Sequence, residues 1–205
     1  MVVPYLAILA ICLCIKLTFT KEEIYFAVNA HYSSWADTLG PFFTDVGNGW
    51  TAVAIAIILL FFSYRKSLIV ASSYAVTSLF AQLIKHIFSA PRPKLYFDGH
   101  LERIHFVKGM YIDVYDSFPS GHTVSAFTLA VLFSYWSRNK PMGVVFLLIA
   151  ILVGYSRMYL SEHFFEDVVA GSVIGTVLTV IWLYWLDSRK FIQAPKWQKG
   201  LLNRG

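Results

Sequence analysis

The stretch YDSFPSGHTVSAF, Tyr115–Phe127, runs without a gap from a polar loop into a long apolar segment. Its tetrapeptide Pro119, Ser120, Gly121, His122 reads in part as helix punctuation: proline ends the loop, serine caps the next helix, and glycine lets the backbone turn. The same residues also suit an anion. A helix starting near Ser120 aims unpaired backbone N–H groups, its positive dipole end and a hydroxyl at one point, and Gly121 permits close approach. His122 then stands beside that point, placed to give up a proton.

Whether such a doorway opens into a membrane is decided by the rest of the chain. Its 205 residues are 57% hydrophobic and 14% charged, well below the roughly one-quarter charged residues of a soluble domain. Mean hydropathy is +0.59. Six apolar runs approach the roughly 17–25 residues of a spanning helix, predicting spans near 2–20, 48–64, 67–86, 120–137, 141–160 and 166–186. The expected fold is all-α: one domain, 1–205, forming an integral membrane six-helix bundle with short interfacial helices in the outer loops and a basic tail at 187–205. Tyr25, Phe26, Tyr32, Trp35, Phe42 and Phe43 in the long loop Lys21–Gly49 suit packing at the membrane interface, or a lid over a site. Gly171 and Gly175 form a small-xxx-small pair for close helix packing.

The charges orient the bundle. Turns Arg65–Lys66 and 138–140, with Arg189, Lys190, Lys196, Lys199 and Arg204 of the tail, hold nine of seventeen basic residues and, among acids, only Asp187. The excess of positive charge makes these regions cytoplasmic, and an even number of spans puts the N-terminus there too. With no basic n-region and no small-x-small cleavage site before Lys21, the first run is expected to be a retained span. The net charge of +5 is accounted for by topology and anionic lipid, so no nucleic-acid partner is expected. Cys12 and Cys14, two apart on a helix, face different sides and suit neither a disulfide nor a metal pair.

Three polar clusters then fall on one face of the membrane. Lys85 ends the third span and Arg92–Pro93 follows; the 119–122 tetrapeptide opens the fourth; SRMYLSEHFFED carries Ser156, Arg157, His163 and Asp167 at the end of the fifth. Any one cation here can snorkel to the headgroups. Three cations, two histidines and one carboxylate converging together need an anion, and phosphate has the right charge and acceptors. His163 and Asp167 are spaced i, i+4, so a shared helical face would let the carboxylate fix the imidazole tautomer and leave the other nitrogen nucleophilic. Phosphoryl transfer is mainly positioning and charge stabilisation, which such a set supplies without a metal. His100, His105, Asp98 and Glu102 match no standard metal spacing and read as solvated loop polarity; His31 and His86 read as interface or packing residues.

These clusters resemble the signature of the type 2 phosphatidic acid phosphatase family: Lys, six residues, Arg-Pro; Pro-Ser-Gly-His; Ser-Arg, five residues, His, three residues, Asp. Every position is matched, by Lys85, Arg92, Pro93, Pro119, Ser120, Gly121, His122, Ser156, Arg157, His163 and Asp167. The resemblance implies a metal-independent, cofactor-free lipid phosphatase with a phosphohistidine intermediate. It implies catalytic roles for His163, Asp167 and His122: nucleophile, its orienting carboxylate, and proton donor. Lys85, Arg92, Ser120, Gly121 and Arg157 would bind phosphate. The implied partner is a membrane lipid phosphate or pyrophosphate in the outer leaflet of a bacterial-type cytoplasmic membrane. Undecaprenyl pyrophosphate is the expected headgroup, with phosphatidylglycerophosphate and lipid A as alternatives, and loops Lys21–Gly49 and Pro93–Phe118 would set the choice. A phosphotransferase with the same site is an alternative activity. A vanadium haloperoxidase, which resembles the chain in its pocket, is disfavoured by the hydrophobic spans, and a non-enzymatic scaffold by the intact catalytic set.

Overall fold

A computed structural model describes residues 1–202; Arg204 of the basic tail lies outside the described residues. Eleven α-helices and one 3₁₀ turn are connected by loops, with no strand among the described residues. In chain order they are α1 (Val2–Thr18), α2 (Lys21–Asn29), α3 (Ser34–Val46), α4 (Gly49–Phe62), α5 (Tyr64–Phe88), α6 (Pro93–Tyr96), the 3₁₀ turn Leu101–Arg103, α7 (Gly121–Trp136), α8 (Lys140–Tyr159), α9 (Phe165–Asp187), α10 (Lys190–Gln193) and α11 (Pro195–Gln198).

The segments containing α5, α8 and α9 are each long and apolar enough to cross a membrane. Two bent pairs, α1 with α2 at 114° and α3 with α4 at 51°, bring the number to five if each pair is one crossing. The chain is thus an all-helical integral membrane protein. Its centre is α7, whose ten consecutive residues Thr123–Leu132 are all buried against α5, α8 and α9. A helix apolar on every side has no lipid-facing stripe to place outward, so it takes the middle.

Small and hydroxylated residues let the neighbours approach it. A Cβ on Gly171 would stand 2.7 Å from the Ser120 carbonyl oxygen, and one on Gly175 would stand 2.6 Å from that of Val124, so α9 lies directly on the α7 backbone. One hydroxyl chain crosses three helices: Thr179 donates to Thr128 at 3.2 Å, Thr128 to Thr77 at 3.2 Å, and Thr77 to the Ser73 carbonyl at 3.0 Å. All three threonines are fully buried. In hydrocarbon such polar links hold helices where the hydrophobic effect cannot.

Two turns are tighter than their sequence suggested. Arg65 and Lys66 lie not in a turn but in the first turn of α5, because Ser63 alone ends α4 and begins α5: its N–H donates to the Leu59 carbonyl and its hydroxyl accepts from the Lys66 N–H. Lys140 likewise opens α8. The tail folds back on this end. Ile192 is fully buried, and the N–H groups of Leu201 and Leu202 donate to the Leu60 and Phe61 carbonyls at 3.1 and 3.0 Å. At the opposite end meet the C-termini of α5 and α8, the N-termini of α7 and α9, and the loops joining them.

Candidate active site

The deepest part of that end is the loop Leu160–Phe164 between α8 and α9. Ser161 takes a left-handed φ of 58°, uncommon for a residue with a Cβ, and is fully buried. It is clamped from α2, where the Tyr25 hydroxyl lies 2.8 Å and the Asn29 amide 3.1 Å from its hydroxyl. The clamp presents Glu162 and His163 inward, 4% and 1% exposed. The segment Lys21–Gly49 also reaches the site through α3, since Thr44 accepts from Arg157 Nη1 at 2.8 Å and its hydroxyl is 3.1 Å from that of Ser156.

His163 precedes the N-cap of α9, so it does not share a helical face with Asp167, contrary to the i, i+4 reading. Phe164 is the N-cap and Asp167 sits one turn inside, where its carboxylate accepts the Phe164 N–H at 2.8 Å. That capping duty draws Oδ2 to 3.6 Å from His163 Nδ1, beyond a direct hydrogen bond. Ser117 fills the gap. Its hydroxyl donates to Asp167 Oδ2 at 2.5 Å and lies 3.5 Å from His163 Nδ1, where it can accept the ring proton. With the ring proton on Nδ1, this chain through a hydroxyl to a carboxylate would hold the tautomer as a direct contact would and leave Nε2 its lone pair. Burial, first, and the charges of Arg92, Arg157 and Lys85 push the His163 imidazole well below its ordinary value; a backbone hydrogen bond with Ser117 opposes them.

The three cations surround this pair. Lys85 donates to the Asp116 carbonyl, which fixes its ammonium beside Ser117. Arg92 is held by the Tyr115 carbonyl through Nε at 2.8 Å. It also pairs with the buried Glu162 carboxylate, which lies 3.4 Å from Arg157 Nη2 as well. Glu162, together with Asp113 at 3.4 Å from Arg92 Nη2, corrects the charge argument from sequence, since two of the three cations already have an acid partner. Glu162 is itself raised above its ordinary carboxyl value by burial, against the pull of Arg157 and Arg92. One donor remains over: Arg157 Nε is buried with no acceptor among the described residues.

Ser120 is the N-cap of α7, fully buried, and accepts from the Thr123 hydroxyl at 2.9 Å. Its own N–H donates to the Asp167 carbonyl at 3.0 Å, joining the starts of α7 and α9 through their backbones. Gly121 and His122 follow in the first turn and share a cavity with Lys85. The structure therefore gathers Lys85, Arg92, Ser120, Gly121, His122, Arg157, His163 and Asp167 at one end of the bundle. Sequence reasoning misses Ser117 and Glu162. Glu162 sits next to His163 in the sequence, but an acid between two arginines of a cationic cluster runs against charge intuition, and Ser117 carries no spacing signal.

The other four histidines behave differently. His105 stacks on Tyr32 with ring centroids 4.0 Å apart and meets Asp37 at 2.9 Å, and His31 Nδ1 faces the Ala27 carbonyl at 2.8 Å. His100 lies 3.9 Å from Glu102 with both side chains exposed, and His86 is exposed on α5.

A helical membrane bundle with a buried cationic pocket around a histidine linked through a serine to a carboxylate defines a class, and the likeness to known proteins names it. The PAP2 superfamily matches residues 66–191, which include every pocket cation and both pocket histidines. Undecaprenyl-diphosphatase BcrC of Bacillus subtilis is 26% identical over 174 residues, covering 80% of this chain and 83% of that protein. Lipid A 4′-phosphatase of Porphyromonas gingivalis is 29% identical over 152 residues, covering 68% of this chain and 63% of that protein. The crystal structure of Aquifex aeolicus LpxE superposes with a TM-score of 0.71 at 27% identity, over 82% of this chain and 97% of that one. The PAP2-type phosphatidylglycerolphosphate phosphatase of Bacillus subtilis shares the fold, with a TM-score of 0.68 at 24% identity over 91% and 96% of the two chains. The chain belongs to the PAP2 superfamily, and it is an enzyme, a hydrolase of phosphoric monoesters or pyrophosphates.

Proposed function

We propose that the protein removes the terminal phosphate of a membrane lipid phosphate or pyrophosphate at the extracytoplasmic face, without a metal, through a phosphohistidine. The observation that carries this is the buried Arg157 Nε, a charged donor lacking an acceptor beside an imidazole whose Nδ1 is already engaged. A buried donor left unpaired is costly, so a ligand oxygen is the partner it lacks. A phosphoryl group there would be held by Lys85, Arg92, Arg157, the Ser120 hydroxyl and the Gly121 N–H. His163 Nε2 would attack phosphorus in line, forming a P–N bond as the P–O bond to the lipid breaks, while His122 gives its proton to the departing oxygen. His122 then takes a proton from water, whose oxygen attacks phosphorus and releases His163 and phosphate.

Six crossings fit this reading: α1, α4, α5, α7, α8 and α9, with α7 at 16 residues about 24 Å long. Undecaprenyl pyrophosphate is the headgroup we favour, on the strength of the likeness to BcrC. The test is phosphate release by purified protein from a panel of prenyl pyrophosphate, phosphatidylglycerophosphate and lipid A, with and without chelator. Release that survives chelator and is blocked by vanadate supports the reading; strict dependence on added Mg²⁺ refutes it.

A further inference from the structure

Beside the pocket lies a cavity of about 190 Å³ between α4, α5 and α7, several times the roughly 30 Å³ share of one water. It begins at Lys85 and His122 and runs along α5 past Gln82, Ser78 and Tyr74, with Ser125 on the facing helix. Positions 74, 78, 82 and 85 fall within one arc of about 80° and extend about 16 Å along the helix. On the opposite side of this stretch Leu79, Leu83 and Ile87 face outward, 71%, 57% and 68% exposed. A polar stripe therefore lies on the cavity side of α5, opposite its exposed apolar side.

The Tyr74 ring packs against the apolar core, but the polar ends of the stripe short of Lys85 are unpaired. Among the described residues, the Gln82 amide, the Ser78 hydroxyl and the Tyr74 hydroxyl have no hydrogen-bond partner; off the cavity on the same helix the buried Ser73 hydroxyl also lacks one, while Ser72, Ser67 and Thr77 are paired. Polar groups at membrane depth are retained where they line a cavity and meet something polar. All three can donate, and the only charge on the cavity wall among the described residues is the Lys85 ammonium. The cavity joins the pocket on the side of His122, where the leaving group departs under the mechanism proposed above, so this inference rests on that reading.

We infer that the α5 stripe is a subsite for a second phosphate, one carried by the leaving group itself. Such a phosphate has two origins. In a prenyl pyrophosphate it is bonded directly to the departing oxygen, within reach of Gln82 and Lys85. In phosphatidylglycerophosphate a glycerol separates it from the scissile bond and carries it deeper, toward Ser78 and Tyr74. A diacylglycerol phosphate has no second phosphate and gives the stripe nothing to hold.

The test compares kcat/KM on these three substrates for the wild type and for Gln82→Leu, Ser78→Ala and Tyr74→Phe, in one detergent or nanodisc. The ratio of kcat/KM on a two-phosphate lipid to that on phosphatidic acid should fall about tenfold or more, the worth of one hydrogen bond to a charged group. A fall confined to Gln82→Leu on prenyl pyrophosphate assigns the first source. A fall in Ser78→Ala and Tyr74→Phe on phosphatidylglycerophosphate assigns the second. Ratios unchanged in every variant overturn the inference while leaving the phosphatase intact, and so does an equal loss on all three lipids. Failure of the wild type to hydrolyse any of them removes the phosphatase reading and the subsite together.

Discussion

At the scale of single residues, the two histidines differ in their surroundings. His163 has a relay behind Nδ1, and His122 stands in the first turn of α7 with no such partner among the described residues. His163→Ala should abolish turnover and any trappable phosphoenzyme in rapid-quench experiments. His122→Ala should lose roughly 10²–10⁴-fold with an alkyl leaving group and less with p-nitrophenyl phosphate, whose oxygen needs little protonation. Equal losses for both leaving groups would contradict the assignment. Asp167→Asn, which disturbs the relay and the cap of α9 while sparing the ring, should fall between the two. Ser117→Ala should cost about 1.5–3 kcal/mol in transition-state stabilisation, a roughly ten- to hundredfold drop in kcat, with little change in the protein's thermal midpoint. Because the His163 imidazole is held below 6.5, it stays neutral in mildly acidic water, and under the proposed mechanism the acid limb of kcat/KM should lie below pH 6.5. Stability runs the other way: below about 6.5 the unfolded chain takes up a proton that folded His163 refuses, so this group destabilises the fold progressively as pH drops through that value. The imidazoles, the cations and Asp167 are legible in the sequence because each is a costly residue near hydrocarbon. Ser117 is not, since a serine in a polar loop costs nothing until folding places it between an imidazole and a carboxylate.

At the scale of elements, α7 and α9 set the position of the doorway. A side chain at Gly171 would press on the Ser120 carbonyl and one at Gly175 on that of Val124, so both sites resist enlargement, but with different consequences. Gly175→Ala should lower the thermal midpoint in detergent, with overpacking of about 1–3 kcal/mol. Gly171→Ala should add a loss of activity, because it moves the N-cap itself. An activity assay at a temperature where both variants are folded separates the two effects, and equal activities would refute the distinction. Much at this scale is legible: the spacing of Gly171 and Gly175 pairs them, and the small residues before α7 read as a cap. The i, i+4 argument for His163 and Asp167 fails because spacing cannot say where a helix begins, and α9 begins two residues after His163. Nor does the aromatic-rich segment before α4 disclose that Tyr25 and Asn29 hold the loop before α9 and Thr44 the end of α8, since those partners lie more than a hundred residues away in sequence.

At the scale of the molecule, the polar end and the basic end are distinct. Cysteines introduced one at a time into a cysteine-free background should report their side: Lys140→Cys shielded from an impermeant maleimide in intact cells, Asp113→Cys labelled. The Asp113 side chain is 55% exposed, so silence there would not come from burial, and labelling of Lys140→Cys from outside would invert the orientation. An expectation of sidedness can be drawn from charge because the positive-inside bias acts on composition. The docking of the tail cannot be drawn in that way, as its contacts with Leu60 and Phe61 use backbone groups that no side chain advertises. Glu162, lodged between Arg92 and Arg157, is a built-in counter-ion. With that carboxylate already offsetting part of the cluster's charge, a bound phosphate would displace few ions into solution. Affinity for the headgroup should thus depend only weakly on ionic strength, even though three cations surround it.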